Sequence, residues 1–341
     1  MKNLALFVVI VMAAVFLAAC GAGNDGAAQN AQGANAQESG RILLYTSKPD
    51  EDTAILLGGF QKVHPGIQVE VFRSGTEEVI SKLYAEKEGG GILADVLLLA
   101  DNVTFERLKR DNLLMAYDSP EASGIDSVYT DPDHMYYGTV AISSVIAYNT
   151  KLAPTPPTDW ADMLSPQAAG KISMASPLYS GAAAYQLGVL VRLPRFGWPY
   201  YDGLKAAGAK VGRGNGGVIT DVVNGEKAYG LVIDYMANNA KKQGNPIDFV
   251  YPASGSAVIT EPAGIIKSTK NPEAAKRLLD FILSKEGQIL QSSIGYVPLR
   301  KDVSAPEGLQ NISRIQALAA DVSALYEQRE ADKTRFTGIF Q

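Results

Sequence analysis

Residues 41–47 form an apolar run that ends in small polar residues, the pattern of a buried strand. In residues 50–64, Ala54, Leu57 and Phe60, with Ile55 and Val63, suit one face of a helix, and Pro65-Gly66 stops it. Residues 67–72 alternate Ile, Val and Val with Gln and Glu, which predicts a second strand. The turn Arg73-Ser74-Gly75-Thr76-Glu77-Glu78 leads into another helix, with Ser74 or Gly75 as N-cap and acidic residues behind it. Residues 94–101 read as a buried, parallel strand, followed by a helix over 103–111. Strand and helix alternate at the spacing of an α/β domain with a doubly wound sheet. Ligands bind at the carboxyl ends of such strands, which here carry Thr46-Ser47-Lys48, Ser74-Gly75-Thr76 and Ala100-Asp101-Asn102.

The pattern changes in the middle. Residues 138–148 are rich in Val, Ile and Ala and can cross between two domains. A proline-rich stretch holds Thr158-Asp159-Trp160, which opens a helix. A second α/β unit follows, with strands at 171–175, 210–212 and 228–235. Ser176 to Ala184 leads into a helix through about residue 191, and Arg213-Gly214-Asn215-Gly216-Gly217 into another that ends at Asn224. Residues 258–266 can cross back. Pro272 opens a strong helix over 271–283, and helical sequence returns at 312–329.

The N-terminal residues follow another logic. Met1-Lys2-Asn3 precedes an uncharged apolar run, residues 4–19, which ends Leu17-Ala18-Ala19-Cys20-Gly21. The run is short for a bilayer span and reads as a secretory signal. Leu-Ala-Ala-Cys-Gly resembles the lipobox of bacterial lipoproteins, which implies a lipid on Cys20, the single cysteine of the chain. Residues 21–40 are dominated by Gly, Ala, Asn and Gln, the composition of a flexible tether. The net charge of −5 and the lack of a long basic block disfavour nucleic acid. Two histidines and no free thiol after Cys20 argue against a His/Cys zinc site. There is no G-x-S-x-G elbow, P-loop or H-E-x-x-H, so an enzyme is not expected.

Leu44-Tyr45-Thr46-Ser47, Ala94-Asp95-Val96, Ile146 to Thr150, Asn224-Gly225-Glu226, Tyr251-Pro252, Asn271 to Lys276 and Ser284 to Gln288 stand in an order and spacing that carry a family resemblance. The chain resembles the extracellular solute-binding proteins of ferric-iron-type ABC importers, a group that includes phosphonate and sugar-phosphate binders. The resemblance implies a two-lobed, type II periplasmic-binding-protein fold with two crossovers. The lobes would be 41–145 with 262–341, and 146–261, after a signal peptide (1–19) and a lipidated tether (20–40). It further implies a monomer that closes on its cargo, hands it to ABC permease subunits, carries no cofactor, and sits outside the cytoplasm on a membrane through its lipid.

The candidate ligand residues follow. Ser180-Gly181-Ala182 opens a helix with free N–H groups suited to phosphate, phosphonate or carboxylate. Asn215 and Gly216 offer an amide and close backbone approach. Thr46, Ser47, Lys48, Ser74, Gly75, Thr76 and Asp101 would read the other half of the cargo. In the ferric relatives two adjacent tyrosines bind iron near the position of Tyr235. Here Asp234-Tyr235 replaces that pair, so Asp234 and Tyr235 are the candidates for Fe3+ carried as cargo. An anionic organic cargo is favoured over ferric iron with a synergistic anion. A sensory protein that presents its ligand to a receptor has the same fold and stays open as an alternative.

Overall fold

The computed structural model describes residues 40–341, so the expected signal, Cys20 and the tether up to residue 39 lie outside the described residues. In chain order the elements are β1 (Gly40–Thr46), α1 (Asp50–Val63), β2 (Ile67–Arg73), α2 (Thr76–Glu88), β3 (Val96–Leu98), α3 (Asn102–Arg110), β4 (Leu114–Met115) and β5 (Tyr137–Asn149). Next come β6 (Ile172–Ala175), α4 (Gly181–Arg192), α5 (Gly197–Ala206), β7 (Lys210–Gly212), α6 (Asn215–Val223), β8 (Tyr229–Ile233), α7 (Asp234–Lys242) and β9 (Ile247–Val250). The last are β10 (Val258–Ile266), α8 (Pro272–Leu283), α9 (Lys285–Ser293), β11 (Val297–Pro298) and α10 (Val322–Phe340).

The main strand order is β2-β1-β3-β10-β5-β8-β6-β7. Strands β1, β2 and β3 are parallel, as are β6, β7 and β8, while β5 and β10 run against their neighbours. β5 changes partners along its length: residues 137–143 pair with β10, and residues 144–148 with β8. Every residue of β5 is buried, so the apolar run at 138–148 reflects cover on both faces. Two lobes thus form on either side of β5. One core gathers Ile42, Leu44, Phe60, Leu278 and Ile282, and another Trp160, Ile172, Leu190, Tyr200 and Leu231.

Several expectations shift. The strand expected over 94–101 is limited to β3, because Leu99 to Asp101 turn into the cap of α3. The strand expected to reach Tyr235 stops at Ile233, and Asp234 begins α7. Trp160 starts a five-residue 3-10 helix (Trp160–Leu164), opened by an Asp159–Asp162 capping box. The helix expected over 312–329 begins only at Val322, where Asp321 accepts from the N–H groups of Ser323 and Ala324.

Candidate functional site

Six strand ends converge on one cavity. β1 delivers Ser47 and Pro49, β2 delivers Arg73, Gly75 and Thr76, and β3 delivers Ala100. From the other lobe, the turn after β6 delivers Tyr179 to Ala182, the turn after β7 delivers Arg213 to Gly217, and the end of β8 delivers Ile233, Tyr235 and Met236. The cleft holds a space of about 270 Å³, near the lower end of small-molecule sites. It suits a small solute rather than a polymer.

The walls favour an oxyanion. α2, α4 and α6 all begin at the cavity, with N-caps Gly75, Ser180 and Gly214. Their first N–H groups have no partner within the helix, and their dipoles are positive there. Ser180 Oγ accepts from Ala183 N at 3.3 Å and from Asn215 Nδ2 at 3.2 Å, which ties α4 to α6. Thr76 is 1% exposed, and its hydroxyl has no hydrogen-bond partner. Thr76 is a residue of the cavity wall, and a buried hydroxyl without a partner calls for one.

The lobes touch across the cleft. Glu77 N donates to Tyr179 O at 3.3 Å, and Arg213 reaches both carboxylate oxygens of Glu78 at 2.8 Å while lying over the Tyr179 ring. Two glycines make this approach feasible. A Cβ at Gly75 would lie 2.5 Å from Tyr179 O, and one at Gly181 2.4 Å from Ala100 O.

Of the residues singled out from the sequence, Ser47, Gly75, Thr76, Ser180, Gly181, Ala182, Asn215, Gly216 and Tyr235 line the cavity. Five are placed otherwise. Thr46 is fully buried and donates to Leu98 O. Ser74 turns outward to Glu78. Asp101 caps α3 and pairs with Arg329, 2.9 Å away, so it has no charge to spare for cargo. Lys48 lies under the floor, 2.7 Å from Glu261 and 3.3 Å above the centre of the Tyr296 ring. Asp234 accepts from Ser143 N, Tyr235 N and the Tyr251 hydroxyl, away from the phenol of Tyr235.

Sequence reading missed Glu261, which lines the cavity, and Tyr296, which is fully buried behind Tyr235. Glu261 stands beside a bulge in β10, between Glu261 and Pro262, and bulges re-aim side chains. Tyr296 stacks on Tyr235 with ring centres 4.1 Å apart. Tyr235 O–H donates to Tyr296, 2.7 Å away, and Tyr296 O–H donates to Asp52 at 2.8 Å. A second phenol therefore reaches Tyr235 from far along the chain. Burial first, and then the nearby carboxylates, hold both phenols well above their ordinary value, so both keep their protons. Among the described residues no group of three or more His, Cys, Asp or Glu side chains could hold a metal.

Burial also raises Asp234 to about 6, against the pull of its N–H donors and Tyr251. The folded state thus binds the Asp234 proton more tightly than the unfolded chain does. Its contribution to stability is present below about pH 4 and is lost as pH rises through about 6. Asp234→Asn keeps both N–H bonds and can donate to Tyr251. We expect the variant to lose this component and to gain ~2–3 kcal/mol over the parent at pH 8 relative to pH 4, in urea unfolding at the two pH values.

The profile of the bacterial extracellular solute-binding protein family matches residues 58–317. The chain belongs to that family. A Salmonella typhimurium protein named provisionally as a 2-aminoethylphosphonate-binding periplasmic protein is 27% identical over 298 residues, covering 78% of this chain and 85% of its own. Iron-bound HitA of Pseudomonas aeruginosa superposes with a TM-score of 0.77 at 23% identity, covering 87% of this chain and 99% of HitA. AfuA of Actinobacillus pleuropneumoniae, bound to fructose-6-phosphate, reaches 0.81 at 20% identity, covering 89% of this chain and 99% of AfuA. The fold is therefore the two-lobed, type II periplasmic-binding-protein fold that the sequence led us to expect. The chain is an extracytoplasmic solute-binding protein of the ABC-importer kind, not an enzyme. Among the described residues no helix is long and apolar enough to cross a membrane.

Proposed function

We propose that this chain captures a small phosphonate or phosphorylated solute by closing its lobes and presents it to the permease of an ABC importer. The unpartnered Thr76 hydroxyl, buried where the first turns of α2, α4 and α6 meet, is the observation that carries this reading. Helix N-termini supply N–H donors and positive potential, and Arg73 adds charge at the wall. The amino-phosphonate named for the Salmonella relative and the sugar phosphate in AfuA carry the same kind of oxyanion.

Ferric iron is the second reading. Tyr235, Tyr296, Asp52 and Glu261 form a hard-oxygen cluster under the cavity. That cluster already holds a cation of its own, the Lys48 ammonium, and its phenols keep their protons. The reading of an organic anion bound without metal is supported accordingly.

We place the lobes at 41–145 with 262–341 and at 146–261, and the partner change along β5 supports the first of these limits. α10 rests on both lobes rather than on one. We further propose a monomer, exported by residues 1–19 and lipidated at Cys20.

Thermal unfolding of metal-stripped protein with phosphate, 2-aminoethylphosphonate, sugar phosphates or ferric citrate tests the cargo. A ligand at 100 times its Kd stabilises by about 2.7 kcal/mol. A shift with ferric citrate alone overturns the reading. Thr76→Val should leave stability unchanged and weaken binding of the active phosphorus compound by roughly 10- to 100-fold, the effect of one hydrogen bond to a charged group, by calorimetric titration.

A further inference from the structure

We propose that Arg329 is a positioning residue for the ligand cavity, and that α10 is a strap carrying it across both lobes. α10 holds the two lobes by different forces. On the second lobe the attachment is largely apolar. Phe336, 2% exposed, enters the core of that lobe beside Tyr201, and Phe340 stacks on Phe336 with ring centres 4.6 Å apart. One ion pair, Arg192–Asp332 at 2.6 Å, adds to it. On the first lobe ion pairs dominate, and the apolar contact there is limited to Leu325 and the partly buried Val322 and Tyr326, near Val103 and under Arg110. Arg329 bridges Glu77 at 2.6 Å and Asp101 at 2.9 Å, and Lys333 reaches Glu77 at 2.7 Å.

Both carboxylates are neighbours of the cavity wall: Glu77 follows Thr76, and Asp101 follows Ala100. Glu77 also donates its N–H to Tyr179 across the cleft. Arg329 therefore fixes the first turn of α2 and the end of β3 at the seam where the lobes close. When lobes part, an apolar attachment buried in a core resists rewetting, whereas ion pairs exchange their partners for water. α10 accordingly travels with the second lobe, and the Arg329–Glu77–Asp101 cluster forms on closure and separates on opening.

The inference rests on the cavity reading only for its ligand arm. In hydrogen exchange of the full chain without ligand, Arg329→Gln should speed exchange about tenfold around residues 75–80 and 100–104, with 333–340 still protected. With 2-aminoethylphosphonate as probe, stopped-flow should show dissociation about tenfold faster and association within about twofold, and Arg329→Lys should restore part of the difference. If Arg329→Gln does not fold, Asp101→Asn, which keeps the α3 cap, takes its place with the same expectations. Faster exchange spread evenly over the chain, or unchanged exchange in both regions, overturns the proposal. A probe that fails to bind the parent protein contradicts the cargo reading alone, and the exchange result still decides the strap.

Discussion

Gly181→Val is expected to weaken cargo capture at least ~100-fold while changing the unfolding free energy by less than ~1 kcal/mol. Gly181 opens α4, and a Cβ there would stand 2.4 Å from Ala100 O and 2.9 Å from Thr76 Oγ1. The carbonyl belongs to the backbone at the end of β3 and cannot swing aside as a flexible side chain would. The clash lies between lobes, so a rotation about the crossing strands relieves it without unfolding either core. The closed form then becomes rare, and apparent affinity falls in proportion to its population. Gly216 gives a control, because a Cβ there meets nothing within 4 Å. Gly216→Ala should fold and bind nearly as the parent does. Calorimetric titration beside denaturant unfolding separates the two effects. A Gly181→Val protein that binds as the parent does would mean that the seam is not where cargo is enclosed.

Lys48→Met is expected to cost about 3–5 kcal/mol in stability, the range for removing one member of a buried ion pair. Lys48 and Glu261 have side chains 0% and 7% exposed, with 2.7 Å between nitrogen and oxygen. Without the ammonium, the Glu261 carboxylate is left in the floor with no cation, and the Tyr296 ring loses the charge 3.3 Å above its centre. The double variant Lys48→Met/Glu261→Gln carries no unpaired charge and should recover most of the loss. Urea unfolding of the three proteins reads this directly. A single variant within ~1 kcal/mol of the parent, with a double variant no better, would mean that the pair does not act as a closed unit.

Local features were legible in the chain wherever local chemistry determines the structure. The Gly-Thr-Glu-Glu and Ser-Gly-Ala-Ala turns announced helix starts, and both open on the cavity. The run rich in Val, Ile and Ala at 138–148 announced a crossing segment, and β5 there passes from β10 to β8. What escaped depends on partners far away in sequence. Asp101 has the look of a ligand residue until Arg329, 228 positions later, takes its charge. Lys48 meets Glu261 across 213 positions, and Tyr235 meets Tyr296 across 61. No period or motif encodes such pairs, because sheet order brings them together only after β10 has crossed back beside β5. α10 was misplaced for a different reason: its start depends on the cap at Asp321 rather than on a continuous apolar stripe.

On the proposed function, a phosphorus oxyanion binds in this cavity without metal. The most direct test is 31P NMR of 2-aminoethylphosphonate with metal-stripped protein in the presence of a chelator. A shifted, broadened bound resonance is expected with the parent protein and none with Gly181→Val. A spectrum that stays at the free position until ferric iron is supplied, and then changes together with a visible charge-transfer colour, would contradict it.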